Sequence, residues 1–221
     1  MKVELIFATP LEILMKTIRI SHASENRMDS RGDSPGQNDA RLLKRIIEMR
    51  HMSTLESITY NFHIEDISRA VLQEISRHRI GYSHIVKSTR FTLGKYLSRE
   101  IPQDPPFGEK EKLVGKLCVV PPQLGKEGKE LFVNATYNAL FEVTKLFSLG
   151  YPNDVVKYLL PESFKTELYA TVNARELHHI LKLRLSEKAL WEFRAIAKAM
   201  YEEVKKRHPI LWESFDLDKV K

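Results

Sequence analysis

The sequence predicts an α/β protein, in the α+β sense, because segments with two different periodicities follow one another along one chain. Residues 57–63 alternate apolar and polar side chains, as a strand with one buried face does. Residues 186–207 instead repeat apolar side chains at helical spacing. The chain has 221 residues, of which 43% are hydrophobic and 29% charged, so it is long enough to bury a core. We predict a single domain over residues 1–221.

The charge and the cysteine count indicate which binding partners and which cellular compartment to expect. A net charge of +6 favours anionic partners such as phosphorylated metabolites or nucleic acid. The chain has a single cysteine, Cys118, which excludes an internal disulfide framework and fits a reducing cytoplasm. Because Cys118 lies within a short apolar run, we expect it to pack as a small hydrophobic side chain. We expect a cytoplasmic protein without membrane association, since no apolar stretch has the length of a membrane helix and no signal peptide is evident.

The amino-terminal part predicts a strand, two helices and a loop. Residues 1–6 alternate like a short edge strand, and Thr9 can cap a helix that Pro10 opens. Residues 22–39 are polar and rich in turn formers, which predicts a mobile surface loop before a helix from about Ala40. The Arg-Gly-Asp triplet inside this loop is interpreted as chance, because the chain has no secretion signal.

After the strand at residues 57–63, Asp66 can cap a helix that runs into Arg77. This helix should fix residues 76–91 at its carboxyl end, where the helix dipole favours cations. That segment combines positive groups (Arg77, Arg79, Lys87, Arg90 and either His78 or His84 when protonated) with hydroxyls and aromatic rings and has no acid. Such groups suit a ligand with both phosphate and a flat ring, such as a nucleotide. The alternative is a solvated basic loop. Separately, residues 87–97 are expected to be extended.

The carboxyl half contains a second informative segment. A long helix is expected at residues 127–149 and a short one at residues 152–160. A strand near residue 170 should then lead into a helix from about Asn173. On that helix one stripe joins Asn173, Leu177, Ile180 and Arg184. A buried arginine needs an acid or an anionic ligand, so Arg184 should meet a ligand, Glu176 or Glu187. The adjacent pair His178 and His179 has the wrong spacing for one metal ion, and the last helix looks purely structural.

Several common chemistries are absent from the sequence. It has no glycine-rich dinucleotide fingerprint, no phosphate-binding P-loop, no metalloprotease His-Glu-x-x-His and no Cys-x-x-Cys pair. An enzyme acting on a nucleotide would therefore take its chemistry from a cofactor. From the residues alone we reach an α/β protein with an anion site built from two arginine-rich segments.

The same two segments carry a resemblance to a known family. Arg77-His78-Arg79, followed by Ser88-Thr89-Arg90-Phe91, resembles the signature of the flavin-dependent thymidylate synthases. Further matching motifs occur in order along most of the chain: residues 8–10, 50–56, 60–62, 67–74, 171–175 and 183–184. Several separate motifs in the right order are more specific than any one of them.

The resemblance implies a fold, a reaction and a set of partners. The fold is a central, mostly antiparallel sheet flanked by helices, and the assembly is a homotetramer with shared active sites. The reaction converts deoxyuridylate (dUMP) to thymidylate, with bound FAD reduced by NADPH or a related nicotinamide nucleotide and with methylenetetrahydrofolate as the carbon donor. No metal and no nucleic-acid partner are implied.

The resemblance also assigns residues by position. FAD would be held by Ser53, Arg77, His78, Arg79, Asn173, Arg175 and His179. Deoxyuridylate would be held by Gln73, Glu74, Ser88, Thr89, Arg90, Lys157 and Arg184. Arg184 is the expected catalytic residue, because a fixed cation against a uracil oxygen stabilises the charge that develops as C5 becomes nucleophilic.

The chain departs from the family pattern in one spacing. Eight residues, Ile80 to Lys87, separate Arg79 from Ser88, where the family has seven. Two other classes stay open: a flavin- or nucleotide-binding relative without methylation activity, which the extra residue permits, and a basic nucleic-acid-binding module, which the high pI and the interleaved aromatic rings suggest. Binding of FAD separates the last class from the other two.

Overall fold

The computed structural model describes residues 1–97, 99–213 and 215. Within them the strands are β1 (Lys2–Ala8), β2 (Thr59–Ser68), β3 (Tyr82–Val86) and β4 (Lys165–Asn173). The α-helices are α1 (Leu11–Ile20), α2 (Gln37–Glu48), α3 (Arg69–Ile75), α4 (Thr89–Thr92), α5 (Gly94–Leu97), α6 (Phe107–Leu117), α7 (Lys126–Ser148), α8 (Asn153–Val156), α9 (Ala174–Arg184), α10 (Trp191–Arg207) and α11 (Pro209–Trp212). Short 3-10 helices occupy Glu25–Arg27, Met52–Ser57 and Lys157–Leu159.

The four strands form one antiparallel sheet in the order β1-β2-β4-β3. Strand β1 lies at an edge and pairs with β2, with Val3 opposite Ile64 and Leu5 opposite Phe62. The register shifts between Leu5 and Phe7, as it does at a β-bulge. The predicted α+β class, with an antiparallel sheet and flanking helices, is confirmed, as is the predicted edge strand.

The chain divides into two compact units. Unit 1 contains residues 1–65, 73–85 and the described residues from 168 onward, and unit 2 contains residues 66–72 and 86–167. The predicted single domain over 1–221 stays a prediction, and part of it (Ser98, Ser214 and 216–221) lies outside the described residues. None of the helices in the described ranges combines the length and the apolar character that crossing a bilayer requires.

Unit 1 is held together by an apolar core between the strands and the helices. Strand β2 buries every second side chain, including Tyr60, Phe62 and Ile64, so the alternation visible in the sequence faces the core. Helix α10 packs against β1 and against α9. Because α9 follows β4 directly, this packing fixes the position of the α9 side chains.

Residues 22–39 were predicted as a mobile loop, but they are tied to unit 1 by a buried carboxylate. Asp39 is fully buried and accepts hydrogen bonds from Arg19 Nε at 2.9 Å, from Arg19 Nη2 at 2.6 Å and from the Ser30 hydroxyl at 2.6 Å. The backbone N–H groups of Asp29 and Ser30 also donate to it. Helix α2 begins at Gln37, before the predicted start at Ala40, and the Asp29 carboxylate accepts from the N–H groups of Asn38 and Asp39 in its first turn.

The Arg-Gly-Asp triplet has an internal role. The Asp33 carboxylate accepts from the Leu11 backbone N–H at 3.2 Å, and it pairs with Arg207 and with His208 Nε2. Asp33 thus supplies the side-chain contact at the start of α1 that the sequence assigned to Thr9. The Thr9 side chain bonds the backbone of Thr59 instead.

Unit 2 has its own core around α6 and α7. Its centre contains Leu93, Leu97, Val114, Leu117, Cys118, Val133, Tyr137, Leu140, Val143, Val156 and Phe164. Burial raises the pKa of the Cys118 thiol to about 11, so the thiol stays protonated near neutral pH. The prediction that Cys118 packs as a hydrophobe is confirmed.

Two local predictions in the middle of the chain were wrong. Strand β2 continues through Asp66, so the Ser68 hydroxyl, at 3.2 Å from the Val71 N–H, takes the capping role predicted for Asp66. The segment predicted as extended, residues 87–97, forms the two short helices α4 and α5, and the strand lies before it at Tyr82–Val86. Pairing in the sheet decides where the strand lies, and alternation along a short segment cannot reveal that pairing.

Candidate active site

Arg184, the last residue of α9, is held in unit 1 by an acid and an aromatic ring. Its Nη1 donates to Glu74 Oε2 at 2.8 Å, and its Nη2 lies 3.4 Å from the Glu74 carbonyl oxygen. The guanidinium also lies over the ring of Phe193, 4.9 Å from its centroid. The sequence predicted that Arg184 needs an acid or a ligand, and the acid is Glu74 of α3 rather than Glu176 or Glu187. Phe193 lies on α10, so the last long helix, which the sequence suggested to be purely structural, contributes a contact to Arg184.

His78 lies between Arg184 and Glu176, and both of its ring nitrogens are engaged. Arg184 Nε donates to His78 Nε2 at 3.1 Å, and His78 Nδ1 is 2.9 Å from Glu176 Oε1. Because Arg Nε carries a proton at any ordinary pH, His78 Nε2 must be the acceptor and Nδ1 must carry the ring proton. Burial lowers the pKa of His78, and the neighbouring Arg184 charge lowers it further against the opposing effect of Glu176. The ring is therefore neutral near pH 7.

Three further arginines are exposed: Arg77 and Arg79, which flank His78 in the sequence, and Arg175 in the first turn of α9. Arg77 Nη2 is 3.2 Å from Glu74 Oε1, so Glu74 bridges two arginines. Arg175 pairs with Glu56 at the surface. Among the described residues Arg79 has no ion pair, so its exposed guanidinium can receive an anion without breaking an internal contact.

The start of α9 fixes the turn after the Arg-His-Arg motif. Asn173 is the N-cap, and its Oδ1 accepts from the Glu176 N–H at 2.8 Å. Its own backbone N–H donates to the Gly81 carbonyl oxygen at 2.9 Å. Gly81 has a φ of +72°, and a Cβ at this position would lie 2.4 Å from Asn173 Nδ2. Only glycine therefore allows this turn to approach the helix so closely.

The other residues predicted for unit 1 lie on elements next to these. The exposed Ser53 is in the 3-10 helix Met52–Ser57, which packs against α9. Gln73 precedes Glu74 on α3. His179 is exposed, and its ring meets that of His78 edge-on with 6.1 Å between centroids. Unit 1 thus brings together the residues predicted for FAD and three of those predicted for deoxyuridylate.

The remaining predicted residues lie in unit 2. Ser88 is exposed at the N-cap of α4, Thr89 is buried, and Arg90 is exposed with its guanidinium 5.5 Å from the ring centroid of Phe91. Lys157 follows α8 and lies over the ring of Tyr158. Helix α4 carries Arg90 and packs against α8, and Lys157 follows α8 directly. Unit 2 therefore brings these two segments together.

Within unit 1, one group of side chains has the composition of a metal site. Ligand atoms of His78, Glu176 and His179 lie within 4.8 Å of one another. Both nitrogens of His78 already serve Arg184 and Glu176, so a metal would have to displace one of those bonds. His178 points elsewhere: it stacks on Trp212 at 4.6 Å, and burial lowers its pKa to about 4. The expectation of no metal stays a prediction.

Comparison with known proteins gives the family. The family model described as thymidylate synthase complementing protein matches residues 4–210 of the chain. The flavin-dependent thymidylate synthase of Campylobacter jejuni is 38% identical over 218 residues, covering 96% of both chains. That of Wolinella succinogenes is 40% identical over 214 residues, covering 96% of this chain and 97% of the relative. The chain belongs to this family.

A solved structure supports the membership. Thymidylate synthase X from Helicobacter pylori, crystallised with FAD and dUMP, superposes with a TM-score of 0.82 at 35% identity and covers 96% of this chain and 98% of its own. The resemblance predicted from the Arg-His-Arg and Asn-Ala-Arg motifs is confirmed. Strand β3 and the Gly81 turn accommodate the eight residues between Arg79 and Ser88.

Sequence reasoning missed two side chains at this family's motif. Glu176 and Phe193 contact His78 or Arg184, but neither was predicted as a site residue. Glu176 gave no signal for this contact, because an Asn followed three residues later by Glu predicts only a helix start. Phe193 gave none, since an apolar residue on an amphipathic helix predicts only core packing.

We expect Gly81→Ala to destabilise the turn between the Arg-His-Arg motif and β3. The new Cβ would collide with the Asn173 amide, and alanine disfavours a φ of +72°, so the free energy of unfolding should fall by about 2 kcal/mol. Urea unfolding measures the change. Gly115→Ala is the matched control, because it lies in α6 with nothing within 4 Å of its Cβ position and should be neutral or slightly stabilising. Equal effects of the two substitutions would contradict the proposed close approach.

Proposed function

We propose that this chain is an FAD-dependent thymidylate synthase that converts deoxyuridylate to thymidylate. The observation that carries the proposal is the Arg184 guanidinium, fixed by Glu74, His78 and Phe193 beside the Arg-His-Arg motif. Family membership and the relatives named flavin-dependent thymidylate synthase support it. We also propose NADPH as the reductant, methylenetetrahydrofolate as the carbon donor, and a cytoplasmic homotetramer as the working form.

The residues of unit 1 fit FAD. The pyrophosphate of FAD is a dianion, and exposed guanidiniums of Arg77, Arg79 and Arg175 offer forked donors for it. We propose that these residues hold FAD together with Ser53, His78, Asn173 and His179. When bound, FAD supplies the redox chemistry and the transfer of the one-carbon unit that the chain itself lacks.

Arg184 activates the pyrimidine in this proposal. A guanidinium has five N–H groups, and three of those on Arg184 serve His78 and Glu74, so two are available to a carbonyl oxygen of the uracil ring. A fixed cation at that oxygen stabilises the negative charge that develops when C5 becomes nucleophilic. Because the guanidinium is already held in place, little reorganisation is needed when substrate binds.

The neighbouring acid and the residues of unit 2 have separate roles. Glu74 orients Arg184 and, through Arg77, joins the two arginine-rich segments of unit 1. We propose Gln73 and Glu74 as the deoxyuridylate contacts of unit 1, and Ser88, Thr89, Arg90 and Lys157 as the deoxyuridylate contacts of unit 2. Lysine keeps the charge at residue 157 but offers no fork, so it should hold phosphate as a point charge.

An absorbance spectrum followed by a ligand titration tests the proposal. We expect the purified protein, after incubation with FAD and gel filtration, to keep the flavin bands, and we expect added deoxyuridylate to perturb them. A colourless protein whose affinity for oligonucleotides falls steeply with salt would favour the nucleic-acid-binding class instead. A yellow protein that oxidises NADPH but forms no thymidylate would favour the relative without methylation activity.

A further inference from the structure

We infer that Glu176 is a positioning residue: through the His78 ring it holds the Arg184 guanidinium in the orientation that meets the pyrimidine. The inference rests on the proposed function, since this orientation affects turnover only if Arg184 contacts substrate. It adds a residue that the family resemblance did not assign.

The first step is that the Glu176 carboxylate does not accept the hydrogen bond from the N-cap N–H that a glutamate at this position usually accepts. Asn173 and Glu176 occupy the N-cap and third positions of α9, as in a capping box, where the glutamate accepts from the N-cap N–H. Here the Asn173 N–H donates to the Gly81 carbonyl oxygen at 2.9 Å. The Glu176 carboxylate is therefore not needed at the helix end, and it accepts from His78 Nδ1 instead.

The second step is that Glu176 and Arg184 require the same tautomer of His78. A carboxylate at 2.9 Å favours a proton on Nδ1, and this leaves Nε2 as an acceptor for Arg184 Nε–H at 3.1 Å. In the other tautomer two N–H groups would face each other at Nε2, and the bond to Arg184 would be lost. Glu176 thus stabilises the one ring state that fixes the plane of the guanidinium.

The third step is that Arg184 keeps other contacts when this bond is lost. Glu74 and the Phe193 ring would still hold the guanidinium near its place, but the guanidinium plane could rotate more freely about the Cδ–Nε bond. Loss of Glu176 should therefore lower kcat more than it changes the fold or the FAD content. A residue with only a structural role would lower stability without changing the pH dependence of turnover.

The pH dependence follows from the groups that face His78. These are Glu176, Arg184 and His179 on or at the end of α9, Tyr82 on β3 and the uncharged Phe193 ring on α10. Protonation of His78 would place N–H against N–H at Arg184 and add a second cation, so turnover should fall as the pH drops through the pKa of His78. The negative charge of Glu176 favours that protonation, and removing the charge lowers the pKa of His78 further.

The test compares two substitutions of one residue. Glu176→Gln keeps an acceptor without the charge, so kcat should stay within about threefold of wild type while the acid limb of the pH profile moves to lower pH. Glu176→Ala removes the acceptor, so kcat should fall about tenfold with little change in the KM for deoxyuridylate. Glu203→Ala, at a half-buried residue of α10 paired with the exposed Lys206, is the control and should change none of these quantities.

A second readout does not depend on turnover. Nitrogen NMR of histidine-labelled protein should show the proton of His78 on Nδ1 in the wild type and in Glu176→Gln, and a mixture of tautomers in Glu176→Ala. A wild-type protein that forms thymidylate, with an unchanged kcat and acid limb in both variants, would overturn the inference and leave the function standing. A wild-type protein that forms no thymidylate would instead overturn the proposed function, and the tautomer measurement would still report whether Glu176 sets the His78 ring.

Discussion

Replacing Arg184 by alanine should lower kcat/KM for thymidylate formation by about a thousandfold or more while FAD stays bound. The guanidinium is the cation that we place against the uracil oxygen, and loss of one preorganised donor of this kind typically costs two to three orders of magnitude, so about a thousandfold is expected. The fold should survive, because Glu74 keeps its ion pair with Arg77 at 3.2 Å when Arg184 is removed. Steady-state kinetics with deoxyuridylate as the varied substrate and the flavin absorbance of the same sample measure both parts.

The matched control is Arg41→Ala. Arg41 is an exposed arginine on α2 that bonds Asn38, so its removal changes the net charge by the same amount without touching the site. We expect its kcat/KM to stay at the wild-type value. Normal turnover in Arg184→Ala would remove Arg184 from the mechanism, and loss of FAD together with activity would assign it to cofactor binding.

Replacing Asp39 by alanine should lower the free energy of unfolding by about 3 kcal/mol or more. Its side chain is fully buried, and its loss would leave the buried Arg19 guanidinium without its ion-pair partner and the backbone N–H groups of Asp29 and the buried Ser30 without their acceptor. Urea or thermal unfolding of wild type and variant measures the difference. The effect should be structural, since Asp39 has no contact with the residues proposed to bind FAD or deoxyuridylate.

The effect of Asp39 should also depend on pH. Burial alone would raise the pKa of this carboxyl, but hydrogen bonds from Ser30, Arg19 and the Asp29 N–H outweigh it and lower the pKa below the ordinary value. The contribution is therefore present above about pH 4 and is lost as the pH falls through the lowered folded-state pKa. The difference between wild type and Asp39→Ala should shrink in that acid range. Glu203→Ala, at a surface ion pair, should cost less than about 1 kcal/mol at any pH, and a similarly small cost for Asp39→Ala would contradict the buried network.

Much of the fold could be predicted from the sequence because its signals are local. Apolar spacing predicted the long helices α7 and α10, and the strand-to-helix change near Asn173 predicted β4 and α9. The stripe on α9 correctly predicted that Arg184 would be placed among apolar residues and would need a partner. Each of these conclusions uses residues within a few positions of one another.

The parts that could not be predicted depend on contacts between residues that are distant in the sequence. Glu74 and Arg184 are 110 residues apart, and His78 and Glu176 are 98 apart, so no periodicity could join them. The same reason explains the misplaced strand near residue 87, because β3 is defined by pairing within a sheet. The loop at residues 22–39 was misjudged because a single buried carboxylate, Asp39, orders a segment whose composition is that of a flexible loop.

The most direct test of the proposed function is the fate of the carbon. The FAD-loaded protein would be incubated with deoxyuridylate, NADPH and methylenetetrahydrofolate labelled with carbon-13 in the methylene group, and the nucleotides would be analysed by mass spectrometry. We expect labelled thymidylate from the wild type and none above background from Arg184→Ala. NADPH oxidation by the wild type without any labelled thymidylate would contradict the proposed function.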